Sequence, residues 1–562
     1  MQSENSQDLF SQIVSHASCS DCSNDFNISR WESNFLEKID LPLPRRCPRC
    51  RSRRRLLHLN QIHLNKRTCD ATNKLIFSHF SEKVVHPVYA PEYWHSDAYD
   101  GRAFGRDFDF SKPFFEQFRS LKDSVPFPAL HLDYANSENS SYVNYAGKLK
   151  NCYFLFNSNN DVDCLYGYGV DDSQSCLDGL RVGHSELCYA AVDCLRCYRC
   201  AHISQCEGCT DSYFMRNCVS CRNCFMCVNL RHKEFHVKNK PVKPEVFAEL
   251  IAQLKSYSSV LAYQAEHELF RRTFPERFLH GVRTENVRGN YLVECHNAFC
   301  CFDSHDLWDG MYASQAFAPL RDFLDCNECG AGELMCNSAN SGDGSNLRCC
   351  FGVYPQVHDL DYCIFCVSGC ANLFGCIGLK RNEYCILNKQ YRQDEYAALV
   401  PKIIAHMKAT GEWGEFFPPA LSDFPYNLTQ AQVHHPLTRE QALALGFQWQ
   451  DDTAPQTRDA SATMPDGLAD TSDEILKNTL ACGSCGRGYR IQKLELRLHR
   501  EIGVALPRHC FLCRHQSRCL SRTPREIFSR LCDRCAVSIE TAYPPTHPQQ
   551  IYCEACFADA LE

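Results

Sequence analysis

Between Asn151 and Glu234 the chain repeats every twelve residues, and few folds tolerate so short a period. In lines of twelve from Asn151, column two reads Cys152, Cys164, Cys176, Cys188, Cys200, Ser212 and Cys224. Column five reads Leu155, Gly167, Gly179, Ala191, Ile203, Met215 and Cys227, and column eight reads Ser158, Val170, Val182, Cys194, Cys206, Cys218 and Leu230. Small and apolar residues thus fall at every third place around a twelve-residue turn. That pattern predicts a narrow solenoid whose coils stack identical columns and continue one backbone ladder. The stretch CVSCRNCFMC, which alone resembles an iron–sulfur ligand run, places Cys218, Cys221, Cys224 and Cys227 in columns eight, eleven, two and five.

A reduced thiol is small and readily buried, so it suits a core too narrow for leucine at every place. Two other readings stay open. Disulfides would join Cys188 to Cys194 and Cys200 to Cys206, although other coils lack one partner, and an internal metal would need several sulfurs to converge. Column three is an apolar ladder of Tyr153, Leu165, Leu177, Tyr189, Ala201, Tyr213 and Phe225, which needs a cover. The amphipathic segment PVKPEVFAELIAQLKSY follows and offers Phe247, Leu250, Ile251 and Leu254 on one face. The coil is similar to the twelve-residue coil of beetle antifreeze proteins, without the flat threonine face that ice binding requires.

The solenoid occurs twice. FGCIGLKRNEYCILNKQ matches FMCVNLRHKEFHVKNKP at an offset of 149, and a helical segment, DEYAALVPKIIAHM, again follows. Cys326, Ser338 and Cys350 keep the twelve-residue step one position late, which predicts a register slip. This copy is also the more acidic.

The ends are copies of each other at an offset of 463. Cys19, Cys22, Cys47 and Cys50 correspond to Cys482, Cys485, Cys510 and Cys513, both as CxxC, 24 residues, CxxC. Such pairs supply four thiolates for tetrahedral zinc in a closed, structural site. The C-terminal copy adds Cys532, Cys535, Cys553 and Cys556, where the N-terminal copy has Cys69, Thr72, Ala90 and Tyr93. Interleaved pairing would break both N-terminal sites, whereas sequential pairing leaves one whole and one lost. About three Zn2+ ions are therefore expected, and chelation should unfold the ends.

Arginines surround the knuckles: Arg45, Arg46, Arg49, Arg51, Arg53, Arg54 and Arg55 at one end, Arg508, Arg514, Arg518, Arg522 and Arg525 at the other. Clustered guanidinium groups suit phosphate oxygens. A solvated rim, or ion pairs to the acidic centre, is the competing reading, since no aromatic ladder interleaves these arginines. The formal net charge of −8 disfavours coating nucleic acid with the whole surface.

No nucleophile elbow, phosphate loop or HExxH is present, so an enzyme is not the leading expectation. Asp161, Asp163, Asp171 and Asp172 are the carboxylates a solenoid-face enzyme would use, but aspartate is also common at coil corners. His434 and His435 read as a surface pair, and 453–473 as a flexible polar linker. The N-terminal residues lack a signal-peptide pattern, and no stretch approaches ~18 consecutive apolar residues, so a cytoplasmic protein without membrane association is expected. With 40 cysteines, this compartment implies thiols and metal sites rather than disulfides.

LPRRCPRCRSRRRL, YWHSDAYDGRAFGRDFDFSKPFFEQF, CVNLRHKEF, NEYCILNKQY and HMKATGEWGEFFP resemble a group of uncharacterised cysteine-rich bacterial proteins with terminal zinc ribbons and a central repeat region. That resemblance implies no activity. The expected fold is mainly β: a tandem narrow parallel β-solenoid with helices after each half, flanked by zinc-ribbon-like modules. The expected boundaries are 1–95 for the N-terminal zinc module, 96–135 for a connector, 136–240 for the first solenoid and 241–285 for its helices. They continue with 286–389 for the second solenoid, 390–452 helical or irregular, 453–478 a linker and 479–562 the double zinc module. The expected role is a zinc-binding scaffold for nucleic acid or an acidic partner, with a protein-interaction scaffold as the alternative.

Overall fold

The computed structural model describes residues 6–451 and 463–561. Two stacks of strands form its centre. One holds eight strands from Leu132–Asp133 to Tyr213–Arg216, the other eleven from Gly281–Val282 to Lys389–Gln390, each in sequence order. In the first, parallel partners beyond the first strand are twelve residues apart, as Tyr168 with Leu180 and Leu180 with Val192. The second varies its coil length: Glu285 pairs with His296, Ala298 with Gly310, Leu307 with Leu320 and Gly344 with Val357. The expected slip is the extra residue that enters before Leu320.

Every third residue of a coil is a left-handed corner. Asn151, Phe154, Asn157 and Asn160 have φ of 55°, 51°, 50° and 61°. A non-glycine residue pays about 1–2 kcal/mol to stand there. Hydrogen bonds between coils offset that cost: the corner amides of Asp163 and Tyr166 donate to Lys150 O at 2.9 Å and Tyr153 O at 3.0 Å. Corner side chains stack as well, Asn139 Nδ2 donating to Asn151 Oδ1 at 2.8 Å and Asn151 Nδ2 to Asp163 Oδ1 at 2.9 Å.

Columns two, five, eight and eleven point into the bore, where Cys152, Leu155, Ser158 and Asp161 are all buried. An inward amide meets the inward side chain one coil back. Ser185 N donates to Ser173 Oγ at 3.2 Å, Cys197 N to Ser185 Oγ at 3.1 Å and Cys176 N to Cys164 Sγ at 3.4 Å. In return the inward thiol donates to carbonyls of its own and the next coil, as Cys176 Sγ does to Gln174 O and Ser185 O, both at 3.5 Å. Cysteine and serine, small side chains that both accept and donate, suit these places, while Leu155, Val170, Val182 and Ile203 fill others. All cysteines are free thiols, and among the described residues those of the bore form no group of three within 4.8 Å of one another. The structure thus shows neither disulfides nor a metal-ligand cluster in the bore.

Asp161 belongs to the same system. It is 0% exposed, its Oδ1 accepts from Ser173 N at 2.9 Å, and burial pushes its carboxyl up to about 9. It is a neutral core group at pH 7. Asp163 faces outward to Arg497, away from the bore that holds Asp161.

The apolar ladder is covered from two sides. Helices Pro244–Gln253 and Tyr257–Arg271 bring Phe247, Leu254 and Val260, and the C-terminal module adds Leu498, Ile502 and Phe511. Helix Gln393–Thr410 follows the second solenoid, whose ladder (Phe299, Leu324, Tyr362 and Phe374) packs against Phe35, Leu56, Phe118 and Phe417. No helix among the described residues is long and apolar enough to cross a membrane.

Two expectations are corrected. His435 is buried, with Nε2 3.2 Å from Ser52 Oγ, and His434 is half-buried beside it, because the segment packs under the N-terminal module rather than looping into solvent. Of the expected linker, 453–462 lies outside the described residues, but 463–473 is packed: Met464 and Leu468 join Ile475, Leu480 and Leu506 in one core.

The bore account predicts that Cys176→Ser is nearly neutral, whereas Cys176→Val, of similar size but without donor or acceptor, lowers stability by about 1–3 kcal/mol. Urea unfolding of the two variants checks the difference; equal losses would contradict it.

Candidate metal centres and the arginine clamps

Each quartet rests on two knuckles. In the N-terminal module the turn between strands Ile13–Ser18 and Asp25–Ser29 carries Cys19 and Cys22. Cys47 then caps helix Pro48–Leu56, in which Pro48 takes the first position and Cys50 lies in the first turn. The C-terminal module repeats this with Cys482 and Cys485 between Leu480–Ala481 and Gly488–Tyr489, and Cys510 capping helix Phe511–Leu520. Its second quartet lies at the turn of hairpin Phe528–Leu531/Ser538–Thr541 and at the start of helix Glu554–Asp559.

The sulfurs of Cys19, Cys22, Cys47 and Cys50 lie within 4.8 Å of one another, as do those of Cys482, Cys485, Cys510 and Cys513 and those of Cys532, Cys535, Cys553 and Cys556. Sequential pairing is therefore the observed one. Cys22 and Cys47 are 3.8 Å apart at sulfur, Cys485 and Cys510 3.7 Å, and Cys535 and Cys553 3.7 Å. A disulfide would need ~2.05 Å, whereas a tetrahedron with ~2.3 Å metal–sulfur bonds has edges of about 3.8 Å. The donor sets fit a four-coordinate thiophilic ion such as zinc. Burial opposes the Cys482 and Cys532 thiolates, but backbone amides outweigh it and bring both thiols down to about 6. Cys510 N donates to Cys482 Sγ at 3.2 Å, and Cys553 N to Cys532 Sγ at 3.3 Å.

The degenerate knuckle keeps the frame without the ligands. Ala90 N still donates to Cys69 Sγ at 3.2 Å. Asp70 Oδ2 accepts from Val88 N at 2.7 Å, as Asp533 Oδ2 does from Ile551 N at 2.6 Å. This half-module holds its shape through backbone hydrogen bonds and packing, with Cys69 at 0% exposure.

The arginines point mostly inward. Arg51 Nη2 donates to Glu32 Oε1 at 2.8 Å and its Nε lies 2.6 Å from Asp325, which Arg55 also meets at 3.0 Å. Arg55, fully buried, further donates to Asn327 and Asn337. At the other end Arg514 lies 2.7 Å from Asp178 and 3.5 Å from Glu495, and Arg518 lies 3.2 Å from Asp178. Burial raises the Glu495 carboxyl to about 7, with Arg514 opposing that rise. These clamps are crossed, since Asp325 belongs to the second solenoid and Asp178 to the first, while Arg522 and Arg525 also tie the C-terminal module to Asp303 of the second. The offset of 463 also links Glu32 to Glu495 and Arg55 to Arg518. That repeated set of one acid and two arginines was the sequence signal for an internal role.

The remaining arginines range from buried to exposed. Arg53 is buried, with Nη2 3.4 Å from Cys50 Sγ, and its guanidinium stacks on Phe447. Arg46 and Arg54 pair with Asp21 and Glu415, and Arg45 with Glu415 nearer solvent. Arg508 lies 3.5 Å from Asp466 and stacks on Tyr257, while Arg522 and Arg525 meet Asp303. Arg49 is exposed.

No family model matches this chain, and no curated protein matches it. Among solved structures, a putative acetyltransferase from Desulfovibrio desulfuricans G20 aligns with 48% of this chain and 70% of its own, at 9% identity and a TM-score of 0.12. Such a score bears on neither fold nor activity.

Metal analysis should find three ions per chain, and Thr72→Cys/Ala90→Cys/Tyr93→Cys together should restore a fourth; unchanged content in the triple variant would contradict the lost-site account. Arg514→Met should cost about 3 kcal/mol by leaving Asp178 to Arg518 alone and Glu495 without its arginine, and adding Asp178→Asn should recover part of it. Denaturant unfolding of the metal-loaded variants measures both.

Proposed function

We propose that this chain is a non-catalytic, metal-stapled scaffold that presents the outer faces of its solenoids to a protein partner. The supporting observation is the direction of the arginines: Arg51, Arg55, Arg514 and Arg518 are held against solenoid carboxylates. Closed four-thiolate sites hold structure and leave no coordination position for substrate. The zinc modules are then clamps, and the recognition surface lies elsewhere.

The exposed face of the first solenoid supports a protein partner over nucleic acid. Its charges pair along the stack, Arg199 with Asp211 at 3.6 Å, Arg222 with Glu234 at 3.2 Å and Lys150 with Glu138 at 3.7 Å. A ladder that neutralises itself attracts a phosphate backbone weakly and suits the mixed charges of a protein surface. Nucleic-acid binding through Arg45, Arg46, Arg49, Arg54 and Arg508 is the competing proposal.

The experiment is oligonucleotide titration by fluorescence anisotropy across salt concentrations, with cross-linking in cells. The scaffold reading predicts only weak, non-specific oligonucleotide binding and cross-links to partner proteins through Lys148, Lys150 and Lys233. Tight binding with a steep salt slope, lost in Arg45→Gln/Arg49→Gln, would overturn it in favour of nucleic acid.

A further inference from the structure

A cavity of about 290 Å³ lies where the N-terminal module, the second solenoid, the segment holding His434 and His435, and the C-terminal module meet. It is near the small end of ligand pockets. Its lining carries two guanidinium groups, Arg49 and Arg525, and two imidazoles that burial holds in the neutral form, His434 and His435, against one carboxylate, the exposed Glu526. Hydroxyl and amide groups of Ser52, Ser314 and Asn327 stand among them, and Phe302, Ala313 and Ile527 give it an apolar wall.

The charge of Arg525 has an internal use, but that of Arg49 has none among the described residues. Three guanidiniums converge on Asp303: Arg522 at 2.6 Å, Arg525 at 2.8 Å and Arg181 at 3.9 Å. Asp193, 2.9 Å from Arg522, and the half-buried Glu328, which Arg525 and Arg181 favour in its charged form, balance them. Arg525 Nη1 also donates to Ser314 Oγ at 3.1 Å, which fixes its fork on the cavity wall. Among the described residues Arg49 has no carboxylate partner, whereas Arg45, Arg46, Arg51, Arg54 and Arg55 of the same module each have one. The corresponding position in the C-terminal module is Leu512, so the knuckle fold does not require an arginine there.

We propose that this cavity binds a small organic anion, carboxylate or phosphate, between Arg49, His434 and Arg525. The guanidinium of Arg49 supplies a bidentate donor on the solvent side, Arg525 a fixed donor on the inner side, and the imidazole of His434 a third. The hydroxyls complete the oxygen shell, and the apolar wall takes the body of the ligand. A bound anion touches four separate parts of the chain, so it ties the two modules together as well as filling the site. This inference stands apart from the protein-partner reading, because its ligand and its surface are different.

The test is calorimetric and thermal-shift titration of the full metal-loaded chain with pyrophosphate and with citrate, at constant ionic strength against sodium chloride. At least one of the two should bind and raise the Tm, with pyrophosphate alone indicating a phosphate ligand and citrate alone a carboxylate. Arg49→Gln and His434→Gln should each weaken that binding about tenfold, or about 1.4 kcal/mol, while Arg45→Gln, outside the cavity, leaves it unchanged. The solvent position of Arg49 makes its variant safe for folding. Neither anion binding beyond chloride, or both cavity variants binding like the natural chain, would overturn the proposal.

Discussion

The hydrogen bond between an inward amide and the inward side chain one coil back governs the rest of this structure. A coil of twelve residues with a left-handed corner at every third place brings backbone donors to a narrow bore. Such donors cost about 1–3 kcal/mol each if left unpaired. Leu155, Val182 and the other apolar residues of the bore fill space without pairing such a donor. Cysteine, serine and Asp161 both fit and pair with those donors, which accounts for the thiols that line both stacks with no metal-ligand cluster among the described bore residues. Chemistry that looks like metal ligation in the sequence is backbone satisfaction in the fold.

A solenoid so built has an apolar ladder outside and open surroundings. The chain covers it with its own helices and with modules too small to hold themselves together by burial. Four thiolates around one ion would supply what their cores lack. The clamps are crossed, so the first and last segments bind the halves of the centre to each other. Buried arginine–aspartate pairs define where each clamp sits, and their value lies in register more than in net stability.

The period, the paired quartets and the covering helix after the first solenoid were legible because each depends on residues close in sequence or on exact repetition. The slip near Cys326 was legible for the same reason, since an added residue displaces a column. The left-handed corners were not, because asparagine, arginine, phenylalanine and leucine occupy them alike, and it is the ladder rather than residue type that holds them. The destination of the arginines was hidden too. A basic run reads as a surface, and nothing near Arg51 announces that Asp325, far along the chain, will meet it. His435 and Met464 were misplaced for the same reason, since polar surroundings in sequence do not exclude packing beneath a distant element.

The central claim is that metal holds the modules and the modules clamp, rather than build, the solenoids. Hydrogen exchange before and after chelation tests it most directly. The account predicts lost protection in Pro48–Leu56 and Phe511–Leu520 and in the outer amides they cover, with the inward amides of both bores still protected. Knuckle helices that stay protected without metal, or bore amides that exchange as fast as the helices, would contradict it.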